Sequence, residues 1–324
     1  MSRWISLSIP SAMTSSRSVR AIWTMPSASH LAGSGYALLG SLVERLRRHG
    51  FEVSEVPFGI WVSELLRYAA HDPSHPMAPF LPTSPGPVAF GGDLSPASVL
   101  GAYRRGVVPL PAADEHLRTI NEFRYEDLVA DGTIALVGSR HGDPYRVAWW
   151  SPDPRPVIEV GRVHLGRNVR KQVRREDMRT TADTAFGRVA EECRTGREPL
   201  WLTDTLLRTL AELHADGWAH SVEVWLDGTL IGGAIGIGIG RIISGDSLFG
   251  RHQGAARVAV ADMAARLDLA GGQLIDAQWD SPFLRSLGAV PVPRESYLPL
   301  LGGPAERIEL PSRPLPARRL LGPG

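Results

Sequence analysis

The chain contains one cysteine, Cys193, among 324 residues. That scarcity excludes an internal disulfide framework and a cysteine-built metal site, and it fits a reducing compartment, with the cytoplasm as the default. Excess charge is also missing, since 35 Lys+Arg stand against 34 Asp+Glu, a formal net charge of +1. Any affinity for nucleic acid must therefore reside in a local patch. No apolar run suits a bilayer: the longest stretch without a charge, Ala21 to Val43, holds Pro26, His30, several serines and three glycines. The 10 histidines show no H-x-x-x-H or other ligand spacing, which argues against a metal site. Ser247 lacks a G-x-S-x-G context, which argues against a hydrolase triad.

What is present reads as one larger and one smaller α/β region. Residues 1–20 are Ser-rich and Arg-dotted like a transit peptide, with Met13 and Met25 as alternative starts, and carry no fold argument. Helical spacing over 36–48, alternation over 51–56 and a second helical stretch over 60–70 make residues 1–80 an N-terminal extension, a small α/β unit ending in a proline-rich linker. Residues 81–150 form a small N-terminal part of the main body. Ser95 caps a helix there, Pro96 opens it, Val99, Leu100 and Tyr103 form its stripe, and Gly106 ends it. The 111–147 segment is the least patterned and reads as an insertion, lid or mobile loop.

From Trp149 the signals sharpen, and 151–305 reads as the main domain. A strand over 157–160 precedes helices over 164–175, 183–193 and, from a Thr203 N-cap, to Gly217. A meander follows: 221–226, an Asp227-Gly228 turn, 229–239, then 242–248. A helix over 254–270 leads into a strand over 273–279, and Leu287-Gly288 closes a last short helix. The proline- and arginine-rich tail, 306–324, is expected to be loose.

Several clusters carry chemical meaning. In Leu274-Ile275-Asp276-Ala277-Gln278-Trp279, strand alternation projects Asp276 and Gln278 from one face. A carboxylate in such a segment is either a working group or a buried Asp satisfied by backbone N–H groups. On the 164–175 helix, Arg167, Arg170, Lys171, Arg174 and Arg175 fall at i, i+3, i+4, i+7 and i+8, opposite Leu165, Val169 and Val173. Like charges at these spacings repel, so the stripe calls for an anion, and a run of phosphates is the natural one; a merely solvated face is the alternative. Gly232, Gly233, Gly236, Gly238 and Gly240 interrupt a strand, which marks close approach of a ligand or of other backbone, or a sharply twisted strand. Asp246 either binds an α-ammonium group or caps a turn. Trp149, Trp150 and Trp201 read as core aromatics, with Trp201 also placed to stack on a base. Finally, Arg251-His252-Gln253-Gly254-Ala255-Ala256 resembles the R-x-x-G-x-A loop of acetyl-CoA-dependent N-acetyltransferases at a helix N-terminus.

Taken in order, Gly91-Gly92-Asp93-Leu94-Ser95-Pro96, Ala102-Tyr103-Arg104-Arg105-Gly106, Trp149-Trp150-Ser151-Pro152-Asp153-Pro154-Arg155, Asp183-Thr184-Ala185-Phe186, His220 to Trp225, Leu274 to Gln278 and Ser286-Leu287-Gly288-Ala289 resemble the leucyl/phenylalanyl-tRNA-protein transferase family over about residues 80–300. The resemblance implies an α/β fold, an N-acetyltransferase-like mixed sheet flanked by helices. It implies an aminoacyltransferase that moves an amino acid from an aminoacyl-tRNA ester onto an amine, with no metal or soluble cofactor. Carried over by motif, Asp276 and Gln278 become the catalytic pair that orients the acceptor amine and draws off its proton. Arg167, Arg170, Lys171, Arg174 and Arg175 become the clamp on the tRNA stem, Trp201 the stacking partner of the terminal adenosine, and Tyr103 a contact near the acceptor end. Ala234, Asp246, Leu248, Gly250 and Ile275 become the aminoacyl pocket. An ester is an activated donor, and an α-amine with a pKa near about 8 keeps a useful neutral fraction, so the chemistry is reasonable.

The chain departs from the family pattern at several points. Val108-Pro109-Leu110 stands where Phe-Pro-Trp is usual, Gly245-Asp246-Ser247-Leu248-Phe249-Gly250 replaces Gly-Glu-Ser-Met-Phe-Ser, Ala234 replaces a common Met, and the segment from Leu110 to Trp149 is longer. Such changes alter which aminoacyl group fits. The reading is a divergent, monomeric, cytoplasmic member whose acceptor is a peptide N-terminus or a small-molecule amine. An acetyl-CoA-dependent acetyltransferase and a catalytically silent tRNA-binding protein are the alternatives from other classes.

Overall fold

The computed structural model describes residues 86–138, 143–197, 200–301 and 306–322. The chain divides into a unit Met1–Leu81 and a unit Pro82–Gly324. The expected α/β extension over residues 1–80 lies outside the described residues.

In chain order this unit runs β1 (Ala89–Gly91), α1 (Pro96–Tyr103), β2 (Val108–Pro111), α2 (Glu115–Ala130), β3 (Ala135–Val137), β4 (Val147–Trp150), β5 (Arg155–Glu159), α3 (Arg167–Arg175), β6 (Arg179–Ala182), α4 (Phe186–Arg194) and α5 (Asp204–Ala215). It continues through β7 (Ala219–Leu226), β8 (Thr229–Ile239), β9 (Ile242–Gly250), α6 (Ala255–Leu269), β10 (Leu274–Asp276), α7 (Pro282–Ser286), β11 (Val290–Val292), α8 (Arg294–Tyr297) and β12 (Leu315–Pro316). Two mixed sheets result, one ordered β2-β4-β1-β3 and one ordered β11-β5-β10-β9-β8-β7-β6-β12. In the larger sheet only β9 and β10 pair in parallel. That pair is joined by α6, the helical crossover a parallel connection requires. The α/β fold with mixed sheets flanked by helices is the one expected.

Local chemistry explains the elements. The Ser95 Oγ accepts from the Ser98 N–H and Pro96 occupies the first turn, so α1 starts where its cap dictates. Thr203 caps α5 in the same way. Helices α4 and α5 bury Val189, Leu206 and Leu210 in one core with the small sheet, whereas α3 and α6 bury Val169, Val173, Val258 and Ala259 in a second core. The larger sheet thus carries helices on both faces.

The glycine run has a structural cause. A Cβ on Gly232 would lie 2.7 Å from the Ala255 Cβ, and one on Gly233 would meet Val222 O, Phe249 and Val189 within 2.9 Å. These glycines let α6 and α4 approach β8, so close packing of neighbouring elements, not a ligand, accounts for them.

Three sequence expectations change. The 111–147 segment is no loose lid: α2 and β3 build onto the four-stranded sheet, burying Tyr125, Ile134 and Tyr145 with Phe90. Only Tyr125 of α2 is fully buried, and its other faces carry charges such as Arg118, paired with Glu122 and Asp143, so helical periodicity in the sequence was weak. The tail is docked, with β12 paired to β6 and Ile308, Leu310 and Ala317 buried. Beneath it, Arg266 bonds Asp262, Thr180 O and Arg313 O, a buried network that no local pattern reveals. Third, β10 ends at Asp276 and does not continue to residue 279.

Candidate active site

Strands β9 and β10 pair only over Ile242–Ser244 and Leu274–Asp276. Beyond that, β9 continues to Gly250 while the chain leaves β10, so the two strands part. At the same point β9 is bulged: Gly236 faces Gly245 and Ile235 faces Ser247, leaving Asp246 without a partner on β8. A bulge re-aims the extra side chain. Here Asp246 turns towards the residues that follow β10.

Asp276 is fully buried and accepts five hydrogen bonds: from Arg155 Nε at 2.9 Å and Nη2 at 2.8 Å, Ser244 Oγ at 3.1 Å, the Gln278 N–H at 2.9 Å and Tyr297 OH at 3.0 Å. Arg155, itself 1% exposed, also donates to Gly106 O and lies over the Tyr297 ring, tying the turn after α1 to the large sheet. This bidentate pair is a strong, directional contact that desolvation makes sensitive to loss of either partner. Burial, reinforced by the Asp276 charge, pushes the Tyr297 hydroxyl far above the ordinary tyrosine range. With its lone pairs occupied, Asp276 is the anchor of the network. A buried Asp satisfied by backbone N–H groups describes it only in part, because four of the five hydrogen bonds it accepts come from side chains.

Gln278 adopts φ +60°, a left-handed conformation that the Asp276 side chain supports by accepting its N–H two residues on. Strand alternation therefore does not place the Asp276–Gln278 pair; a turn does. The Gln278 Nε2 donates to Ser244 Oγ at 3.1 Å and to Asp246 Oδ1 at 2.7 Å. Both its hydrogens are thereby committed, and its Oε1 accepts nothing from the described residues.

Asp246 is the most perturbed acid. Its Oδ1 accepts from Gln278 and, at 2.6 Å, from Tyr103 OH. Its Oδ2 is buried with no partner among the described residues, although the residue as a whole keeps some exposure. Burial raises its carboxyl to about 7, against the two hydrogen bonds that lower it; the nearby Asp276 charge adds to the rise. Burial and Asp246 together raise the Tyr103 hydroxyl well above its usual range. Tyr103 itself is 4% exposed and lies behind Asp246.

The predicted pocket residues do not all converge. Ala234 and Ile275 are buried in the core beneath α6, with Leu248 packed against it, while Tyr103 belongs to the core on the other side. Gly250 is exposed and closely approached by the Ala256 backbone. Only Asp246 of the five joins Asp276 and Gln278. Arg251 of the R-x-x-G-x-A segment pairs with Glu192 at 2.6 Å. Trp201 is half-buried against the core before the α5 cap.

On α3, Arg167, Lys171, Arg174 and Arg175 are exposed, whereas Arg170 is half-buried and donates to Leu321 O at 2.9 Å. The stripe therefore faces outward, opposite Val169 and Val173. Arg155, Ser244 and Tyr297 were missed from sequence. Arg155 stood in a quoted motif and Ser244 two residues before Asp246, but their partnerships depend on strand pairing; Tyr297 carried no local signal. Cys193 is buried, its thiol pushed up to about 12 by burial, which leaves it inert. Among the described residues no His/Cys/Asp/Glu group is placed to hold a metal ion, and no helix is long and apolar enough to cross a membrane.

Residues 157–302 match the family profile described as leucyl/phenylalanyl-tRNA protein transferase. A leucyl/phenylalanyl-tRNA-protein transferase of Klebsiella pneumoniae is 37% identical over 217 residues, spanning 67% of this chain and 80% of that protein. One from Teredinibacter turnerae is 36% identical over 220 residues, spanning 67% and 73%. A solved GCN5-related N-acetyltransferase from Kribbella flavida aligns over 43% of this chain and 54% of its own, with 14% identity and a TM-score of 0.27. On the strength of its curated relatives, the chain belongs to the leucyl/phenylalanyl-tRNA-protein transferase family of amide-forming aminoacyltransferases.

Proposed function

We propose that this protein transfers an amino acid from aminoacyl-tRNA to the amine of a protein N-terminus, with Asp246 and Gln278 facing the reacting groups and Asp276 holding them in place. Family membership makes the acetyl-CoA-dependent, non-catalytic and small-molecule-amine alternatives unnecessary. The observation that carries the assignment of roles is the buried Asp246 Oδ2, without a hydrogen-bond partner among the described residues, on a side chain bonded to Gln278.

In this reading the amine nitrogen attacks the ester carbonyl carbon. A C–N bond forms and the bond from that carbon to the ribose oxygen breaks. Gln278 Oε1 accepts an amine N–H and aligns the lone pair. Asp246 takes the proton that the nitrogen sheds and returns it to the departing ribose oxygen. A base works best when its pKa lies near the working pH, and a carboxyl near about 7 beside an amine near about 8 meets that condition. Asp276, saturated by five donors, positions Gln278 and Ser244 without exchanging a proton. The clamp on tRNA is the exposed α3 stripe, and Trp201 stacks on the terminal adenosine. Without the flexible Met side chains at Ala234 and Leu248, the donor side chain preferred here differs from that of the relatives.

The test incubates purified protein with singly charged tRNAs and a peptide bearing an N-terminal Arg, read by mass spectrometry. Transfer is expected, abolished by Asp246→Asn and Gln278→Met while tRNA binding persists. Absence of transfer from every charged tRNA, or full transfer by Asp246→Asn, sinks the proposal.

A further inference from the structure

The surface beside the α3 stripe contains a second cationic element that the sequence reading set aside as loose. Residues 317–321 form a short 3-10 turn packed next to α3. Three contacts fix it there. Ala317 is fully buried, its N–H bonded to Met178 O at 2.8 Å. Arg319 reaches the buried Asp262 carboxylate at 2.6 Å. Arg170 of the stripe donates to Leu321 O at 2.9 Å.

These anchors leave Arg318 exposed, between two residues that point inward, and among the described residues it pairs with no acid. Pro316, two residues earlier, pairs with Arg179, which is also exposed, lies four residues beyond the end of α3 and is 3.8 Å from Asp177 Oδ2. Arg170 differs from its stripe neighbours in being half-buried and spent on the turn's carbonyl.

We propose that the C-terminal turn is part of the RNA-binding surface, with Arg318 a phosphate contact that extends the α3 stripe and Arg170 the residue that pins the turn against it. The inference rests on the tRNA clamp proposed above and adds to it a segment beyond residues 157–302, the part that matches the family profile. Its physical basis is charge. Like charges brought together on one surface repel unless an anion answers them, and a phosphate backbone supplies anions at the spacing of neighbouring side chains. An arginine held on an ordered turn also loses less conformational freedom on binding than one on a free tail.

The experiment measures binding of uncharged tRNA by fluorescence anisotropy from 50 to 200 mM KCl for the full chain. The variants are Arg318→Glu, Arg174→Glu on the stripe, and Arg208→Glu on α5, across the sheet, as a charge-reversal control. Each lost phosphate contact lowers the salt slope by about one, so the gap between wild type and Arg318→Glu narrows roughly 3-fold or more across that range. Arg318→Glu is expected to weaken binding several-fold at the lowest salt, to share this flattened slope with Arg174→Glu, and to melt at the wild-type temperature. Arg208→Glu should match wild type. Wild-type affinity and slope in Arg318→Glu, with Arg174→Glu impaired, overturn the role of the turn alone. Loss of binding that does not depend on salt also overturns it. If the wild-type protein ignores tRNA but binds phosphatidylserine vesicles, the RNA clamp and this inference fall together.

Discussion

Replacing Asp276 by alanine should damage the fold before it reveals anything about proton transfer. The residue is fully buried and its side chain accepts all five of the bonds described above. Its removal leaves the Arg155 guanidinium, 1% exposed, without its carboxylate partner, and strips Tyr297 OH of its acceptor. Breaking a buried ion pair from one side costs about 3–5 kcal/mol, set against about 5–15 kcal/mol for a whole domain. At roughly 2–4 °C per kcal/mol for a unit of about 150–250 residues, the melting temperature should drop by about 6–20 °C. The assay is thermal unfolding followed by near-ultraviolet circular dichroism, which reports the buried tryptophans beside this seam. Arg155→Met combined with Asp276→Leu removes both charges together and should recover more than half of the loss, since apolar replacement of a complete buried pair is often close to neutral. Asp276→Ala melting within about 2 °C of wild type, or a double variant that loses the sum of the two single changes, would refute the reasoning.

Other outcomes follow from the same structure. Transfer by the wild type should rise with pH through about 7 as Asp246 ionises, and Asp246→Asn should lower the rate by roughly 10²–10⁴ and remove that limb of the profile. For stability the sign is opposite: the folded carboxyl titrates near 7 and an ordinary aspartate at 3.8, so ionisation opposes folding. Wild-type stability should fall as pH rises from about 4 to about 7, and urea titrations should show Asp246→Asn gaining on wild type over that window. Gly232→Val forces a side chain against Ala255 and should cost about 1–3 kcal/mol, read as a lower urea midpoint. Lys171→Glu with Arg174→Glu should weaken tRNA binding and flatten its salt dependence without shifting the melting temperature, because both side chains are exposed.

Much of this protein is written locally. Ser95 with Pro96, Thr203 and the Asp227-Gly228 turn announce their elements, because caps and turns are decided within a few neighbouring residues. The charge spacing of α3 belongs to the same class: once a helix forms, 3.6 residues per turn puts those five side chains on one side. Asp276 and Gln278 were legible as a pair, yet for the wrong reason. A period of two predicted their proximity, while a left-handed Gln278 produces it.

The sequence by itself determined the class of fold, the outward basic stripe and the acid-amide pair, since each depends on contacts short in sequence. Only the tertiary structure decided which carboxylate is free. Asp276 is satisfied by Arg155, 121 residues away, and Tyr297, whereas Asp246 sits on a bulge with Tyr103, 143 residues away, and keeps one buried oxygen without a partner among the described residues. The packing of α2 against the four-stranded sheet and of the tail onto β6 was likewise settled by partners distant in sequence. Burial and hydrogen-bond saturation are properties of an assembled neighbourhood, and two aspartates with similar local surroundings acquire different chemistry once that neighbourhood closes around them.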